Sequence, residues 1–189
     1  MSIWWFITTL AITSFFSSPA YAYDNNPLQD ICVAVNDYKA SGLNVSRDVH
    51  PKFGIAVTIV GVNDIPGFNT LGISTSRADI ELQSLSPFHT HPRATELVIV
   101  MEGTLYVGFL VSDATNFFKS RLFSKILNYG DVFVFSKGLI HFLYNMGRKK
   151  ATLFGSYNSQ NSVLITIPSS IIASNPPIMD DILSKGFPA

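Results

Sequence analysis

The sequence predicts an all-β chain, a sandwich or barrel of short strands. Three observations carry that reading. Segments rich in β-branched residues recur at close, regular spacing. Glycine- or proline-bearing turn signals separate them. No long helical period appears before residue 170. The first strand candidate is 54–62, GIAVTIVGV. The second, 70–82, alternates in part, with Leu71, Ile73, Ala78, Ile80 and Leu82 as inward candidates. Further strands are expected at 96–101, 104–111, 121–127, 131–135, 140–145, 151–155 and 162–167. The turns between them carry Pro66-Gly67, Glu102-Gly103, Tyr129-Gly130, Lys137-Gly138 and Met146-Gly147. The tail differs. Residues 178–185 follow Pro176-Pro177, carry Asp180 and Asp181 early and Lys185 late, and precede Gly186. That order predicts a short helix.

Composition bounds the function. The 189 residues are 47% hydrophobic and only 14% charged, which excludes a disordered chain. Lys plus Arg and Asp plus Glu both number 13, so no basic excess marks a nucleic-acid binder. A single cysteine, Cys32, excludes an intrachain disulfide scaffold or a CxxC zinc site.

Residues 1–22 read as a secretory signal peptide. The apolar run WWFITTLAITSFF ends in Ser17-Ser18-Pro19 and an Ala20-Tyr21-Ala22 cleavage site, although no Lys or Arg precedes it. The competing reading is a membrane anchor, which needs about 20 apolar residues. No membrane contact is expected after cleavage. In an oxidising compartment a lone Cys32 is a buried thiol, an interchain bridge or half of a lost pair. Asn44-Val45-Ser46 is a glycosylation sequon, usable if Asn44 is exposed. The domain plan is the signal peptide, an arm at 23–53, a barrel at 54–170 and a short helical tail at 171–189. His50 reads as a surface histidine of the arm.

The chemistry concentrates in four residues. His89 and His91 stand at i and i+2, which on a strand places both imidazoles on one face. Glu96 follows after the loop-like Pro92-Arg93-Ala94, and His141 lies on a later strand after the Gly138 turn. Three imidazoles and a carboxylate converging inside a barrel make a mixed N/O site for a divalent transition metal. Isolated histidines are more often hydrogen-bonded core or surface residues, so an HxH pair followed by a glutamate is by itself a weak signal.

The spacing around these four residues resembles the cupin superfamily and, within it, the plant germin-like proteins. His89, His91, Glu96 and Gly103 match the first motif, G-x5-HxH-x3-4-E-x6-G. Gly130, Gly138, His141 and Asn145 match the second, G-x5-P-x-G-x2-H-x3-N. Germin-like wording extends from PLQDICVA at 27–34 through HTHPRATE at 89–96 and SQN at 159–161 to SNPPI at 174–178. The resemblance implies a double-stranded β-helix, a jelly-roll barrel. It further implies manganese held by His89, His91, Glu96 and His141, an extracellular apoplastic location, and homo-oligomers built as trimers of dimers. Gln83, Ser136 and Phe88 depart from the pattern at a glycine and two prolines. The second family cysteine and part of the C-terminal helical hairpin are absent from this sequence. From these departures we expect the barrel-mediated dimer to survive better than the hexamer, with Cys32 free or bridging chains. Where the family's oxalate oxidases hold substrate with two asparagines, this chain has Ser76 and Ser86. That departure implies little oxalate oxidase activity. Two functions remain open. One is a manganese oxidoreductase of superoxide dismutase type in plant defence. The other is a non-catalytic wall or receptor module that the metal staples. Phe88 and Phe142 are expected to pack in the core beside the ligands, and Arg93 to be structural.

Overall fold

The computed structural model describes residues 43–44, 46–65, 68–116 and 118–187. The proposed signal peptide, most of the arm and Cys32 lie outside them. Two five-stranded antiparallel sheets pack face to face, as a double-stranded β-helix requires. The first has the order β1 (Ile55–Val60), β2 (Ser74–Ile80), β9 (Ala151–Tyr157), β4 (Glu96–Glu102), β7 (Val132–Phe135). The second has the order β10 (Ile165–Thr166), β3 (Leu85–Thr90), β8 (His141–Asn145), β5 (Leu105–Ser112), β6 (Ser120–Leu127). Two short helices follow, α1 (Ile167–Ile172) and α2 (Asp180–Gly186).

Period-two alternation fills the space between the sheets. In β4, Glu96, Val98 and Val100 are buried, while Leu97 and Met101 are exposed. The core gathers Ala78, Ile80, Val98, Val100, Leu105, Val107, Leu127, Phe135, Leu143, Ala151 and Leu153. β6 is an edge strand, exposed along its length except at Leu127. The motif residue Asn145 is completely buried and locks the strand ends. Its Nδ2 donates to the carbonyls of Ile80 and Lys149, both at 2.9 Å, and its Oδ1 accepts from the Gly147 amide at 2.9 Å. Gly103 explains its place in the motif. It has φ +85°, and a Cβ there would meet Ala151 Cα at 2.8 Å. Gln83, at the other motif position, adopts φ +55°, a conformation that glycine takes without strain.

Several sequence expectations need correction. Leu82 and Ile73 are exposed rather than inward. Strand β2 runs only from Ser74 to Ile80, and Leu82 sits in the turn that passes through Gln83. Strand β3 was not foreseen, because Ser84, Ser86, Pro87 and Thr90 interrupt the apolar pattern. Its pairing with β8 shifts between Ser86 and His89, the kind of irregularity that accommodates a strand proline. The strand expected at 162–167 shrinks to β10, because Pro168 stands in the first turn of α1 and favours helix initiation there. The tail helix forms at Asp180–Gly186, with Asp180 and Asp181 in its first turn and Lys185 in its last. Phe88 is 39% exposed, not core, whereas Phe142 is buried. The two rings meet edge-on at 5.3 Å.

The outer face of the first sheet holds a buried ion pair. Asp79 accepts from Arg77 Nε at 2.8 Å and Nη2 at 2.9 Å, and from Thr152 Oγ1 at 2.8 Å. Arg77 Nη1 also donates to the Leu43 carbonyl at 3.1 Å, tying residue 43 to the barrel. Burial by itself raises the Asp79 carboxyl, but the donated hydrogen bonds and the charges of Arg77 and Lys150 outweigh it, and its pKa is lowered. A lowered native pKa gives stability that is present above the unfolded value and lost as pH falls through the native one. Asp79→Asn should therefore cost about 2 kcal/mol at neutral pH. Its thermal midpoint should also fall less steeply than that of the unsubstituted protein below about pH 4. Parallel acid slopes for the two proteins in calorimetry would contradict this account.

Candidate metal centre

Four polar side chains share the interior end of the barrel. His89 lies near the end of β3, His91 one residue beyond it, Glu96 opens β4 and His141 opens β8. Cross-strand register does the assembling. His89 and His141 are direct partners in the β3–β8 ladder, so their rings must share a face. Glu96 arrives from the opposite sheet. All four residues are at least 96% buried, and one ligand atom from each lies within 4.8 Å of the others.

The backbone sets the chemistry of the imidazoles. His89 Nδ1 is 2.7 Å from the Pro87 carbonyl, His91 Nδ1 2.7 Å from the Val163 carbonyl, and His141 Nδ1 2.8 Å from the Leu139 carbonyl. A carbonyl can only accept, so each Nδ1 carries the proton and donates it. In the neutral ring each Nε2 is then a bare lone pair. Among the described residues His91 Nε2 has no hydrogen-bond partner although it is buried. Glu96 Oε2 lies 3.1 Å from His141 Nε2 and 3.4 Å from His91 Nε2. Acceptors that converge without protons between them are brought together favourably by a cation. The residues therefore fit a divalent metal.

Protonation preferences agree with that arrangement. Burial, reinforced by His141, pushes His89 down to about 4, so its ring is neutral at physiological pH. Burial opposes ionisation of Glu96. In the metal-free site a proton on His141 or His91 Nε2, donated to Oε2, more than compensates and holds the carboxyl well below the usual range, the role a cation takes over when the Nε2 atoms are bare.

Two aromatic residues at the site escaped sequence reasoning. Phe135 stacks on His141 at 4.3 Å with an interplanar angle of 17° and forms a dry wall of the site. Tyr157 sits 4.8 Å from the His91 ring, and its hydroxyl donates to Glu96 Oε1 at 2.9 Å. Burial and the Glu96 charge raise its pKa strongly, which keeps the phenol protonated. Alternation along 151–155, carried two residues further, would have placed Tyr157 inward. No sequence signal marks Val163. It is a β-branched residue with φ +55°, a strained conformation that presents its carbonyl to His91. Of the other candidates, Ser76 is buried beside Tyr157, Ser86 is partly buried on β3, and Arg93 and His50 are exposed. Asn44 is exposed.

His91→Ala should remove metal affinity and metal-dependent stability together. A ligand at 100 times its dissociation constant stabilises a fold by about 2.7 kcal/mol. Calorimetry with and without manganese should show a metal-induced rise in the unsubstituted protein and none in the variant. An equal rise in both would mean that His91 is not a ligand.

Comparison with known proteins agrees with this geometry. The Cupin family profile matches residues 41–189. Germin-like protein 8-2 of Oryza sativa subsp. japonica is 46% identical over 204 residues, covering 96% of this chain and 90% of that protein. Germin-like protein subfamily 1 member 20 of Arabidopsis thaliana is 42% identical over 202 residues, with coverage of 96% and 90%. Among solved structures, a recombinant oxalate oxidase in complex with glycolate superposes with a TM-score of 0.76 at 37% identity, covering 86% of this chain and 90% of that one. With its two-sheet barrel, its buried His3Glu cluster and these relatives, the chain belongs to the germin-like proteins of the cupin family.

Proposed function

We propose that this is a secreted, manganese-binding germin-like protein of the plant extracellular matrix, with superoxide dismutase-like activity, a role in plant defence and no efficient oxalate oxidase activity. The observation that carries the reading is the convergence of three imidazole Nε2 atoms and Glu96 Oε2, with every Nδ1 tied to a carbonyl. His89, His91, Glu96 and His141 would hold the ion. Manganese is chosen on the likeness to the family, because imidazole and carboxylate accept several divalent metals. Bound manganese supplies one-electron redox cycling, the chemistry that superoxide dismutation requires.

The chain's own residues do the rest. The four ligands present one negative charge and three neutral nitrogens. Four donors on a six-coordinate ion leave room for a small anion or water. Phe135 excludes water from one face of His141. Ser76 is already bonded to the Tyr157 hydroxyl at 2.9 Å, so it offers less to a dicarboxylate than a free polar side chain would. That engagement, with serine rather than asparagine at position 86, supports weak oxalate turnover. The secretory route, glycosylation at the exposed Asn44 and homo-oligomeric assembly belong to the same reading. Among the described residues no helix is long and apolar enough to cross a membrane.

One observation favours the non-catalytic alternative. The cluster draws His89 and His141 from one sheet and Glu96 from the other, so an ion there would staple the two layers. Activity decides between the readings. Manganese-loaded protein should consume superoxide well above its His91→Ala variant, while peroxide release from oxalate stays near background. Equal superoxide rates in the two proteins would favour the staple, and efficient peroxide release from oxalate would reverse the substrate assignment.

A further inference from the structure

The two oxygens of Glu96 have different neighbours. Oε2 faces the imidazoles, 3.1 Å from His141 Nε2 and 3.4 Å from His91 Nε2. Oε1 points away from them and takes a hydrogen bond from Tyr157 at 2.9 Å. An ionised carboxylate can only accept, so the phenol is the donor and its oxygen is left to accept. Ser76 Oγ, 2.9 Å from that oxygen, supplies the matching hydroxyl proton. The result is a directed chain, Ser76 to Tyr157 to Glu96.

Sheet register builds this chain. Tyr157 is the cross-strand partner of Glu96 in the β4–β9 ladder, and Ser76 is the partner of Gly155 in the β2–β9 ladder. Gly155 leaves the space in which the three groups meet. A Cβ there would lie 2.7 Å from Ser76 Oγ, 2.9 Å from Glu96 Oε1 and 3.0 Å from Tyr157 Oη. Tyr157 and Ser76 are both nearly inaccessible to solvent, so water does not replace either partner readily.

We infer that Tyr157 is a positioning residue that holds Glu96 to one-oxygen ligation through Oε2, with Ser76 and Gly155 setting the phenol in place. The inference rests on the metal reading above. A carboxylate whose outer oxygen is engaged cannot swing to bind an ion through both oxygens. One coordination position therefore stays open for a small anion. Without the hydroxyl, Glu96 is free to rotate and close that position, and its charge loses a fixed dipole.

Cobalt(II) and manganese(II) are suitable probes, since the visible bands of cobalt(II) report coordination number. Tyr157→Phe should bind cobalt(II) about 10- to 100-fold more weakly, the range that loss of a ligand's hydrogen-bond partner produces. Its visible bands should shift as the second carboxylate oxygen takes the position otherwise left to water or a small anion, and the manganese(II) resonance spectrum should change in parallel. Ser76→Ala, which keeps the phenol, should show the same changes at smaller amplitude. A purely packing role would lower the melting point of the metal-free protein and leave the metal spectra untouched. Folded Tyr157→Phe with unchanged affinity and bands overturns the inference. If that variant does not fold, Gly155→Ala decides, because its methyl displaces the same three oxygens: altered bands support the inference and unaltered bands overturn it. Failure of the unsubstituted protein to bind either metal instead overturns the metal reading itself.

Discussion

A buried carboxylate governs the architecture of this barrel. Glu96 is ionised in an interior where an isolated charge is costly by several kcal/mol. Its surroundings answer that cost through two oxygens with separate tasks. One faces the imidazole nitrogens and the other takes the Tyr157 hydroxyl. Everything near the site serves this division: the β3–β8 register that pairs His89 with His141, the β4–β9 register that pairs Glu96 with Tyr157, and the absence of a side chain at Gly155. A barrel assembled around such a centre is organised by polar geometry first and closed by apolar packing around it.

The backbone contributes as much as the side chains. Three carbonyls, those of Pro87, Leu139 and Val163, orient three rings by accepting their Nδ1 protons. Two of those carbonyls stand two residues before the histidine they orient. The third comes from distant sequence and is delivered by a residue in a strained conformation. The strain is supported by neighbours: Ser162 beside it is buried, and β10 immediately afterwards pairs with His89 and Thr90. The segment that leads into edge strand β10 is thus the segment that sets the tautomer of His91.

Away from the centre the same fold spends polar groups on connection. Asn145 satisfies three backbone groups from full burial, and Asp79 gathers Arg77 and Thr152 on the outer face of the first sheet. These hydrogen bonds are what allow polar residues to be buried in a β-barrel without destabilising it. Apolar side chains meanwhile remain on the outside, among them Leu97, Val132 and Val134 on one sheet and Leu122 and Ile126 on the other. Both helices of the tail lack buried residues.

The sequence by itself determined the all-β class, most strand positions and the four polar residues of the site, because each is a local property. Alternation reports which faces of a strand are apolar, glycine reports a turn, and motif spacing reports ligands carried on neighbouring strands. Strand β3 and helix α1 were hidden for a local reason too, since a proline and several serines blur the period on which such a reading depends. Tertiary structure decided what depends on strand register and on the packing of one sheet against the other: that Tyr157 meets Glu96 across the β4–β9 ladder, that Phe135 of one sheet covers His141 of the other, and that the Val163 carbonyl reaches His91. Those partners lie 61, 6 and 72 positions apart in the chain. No periodic pattern encodes such distances. Only the pairing of strands and the stacking of the two sheets bring the atoms together.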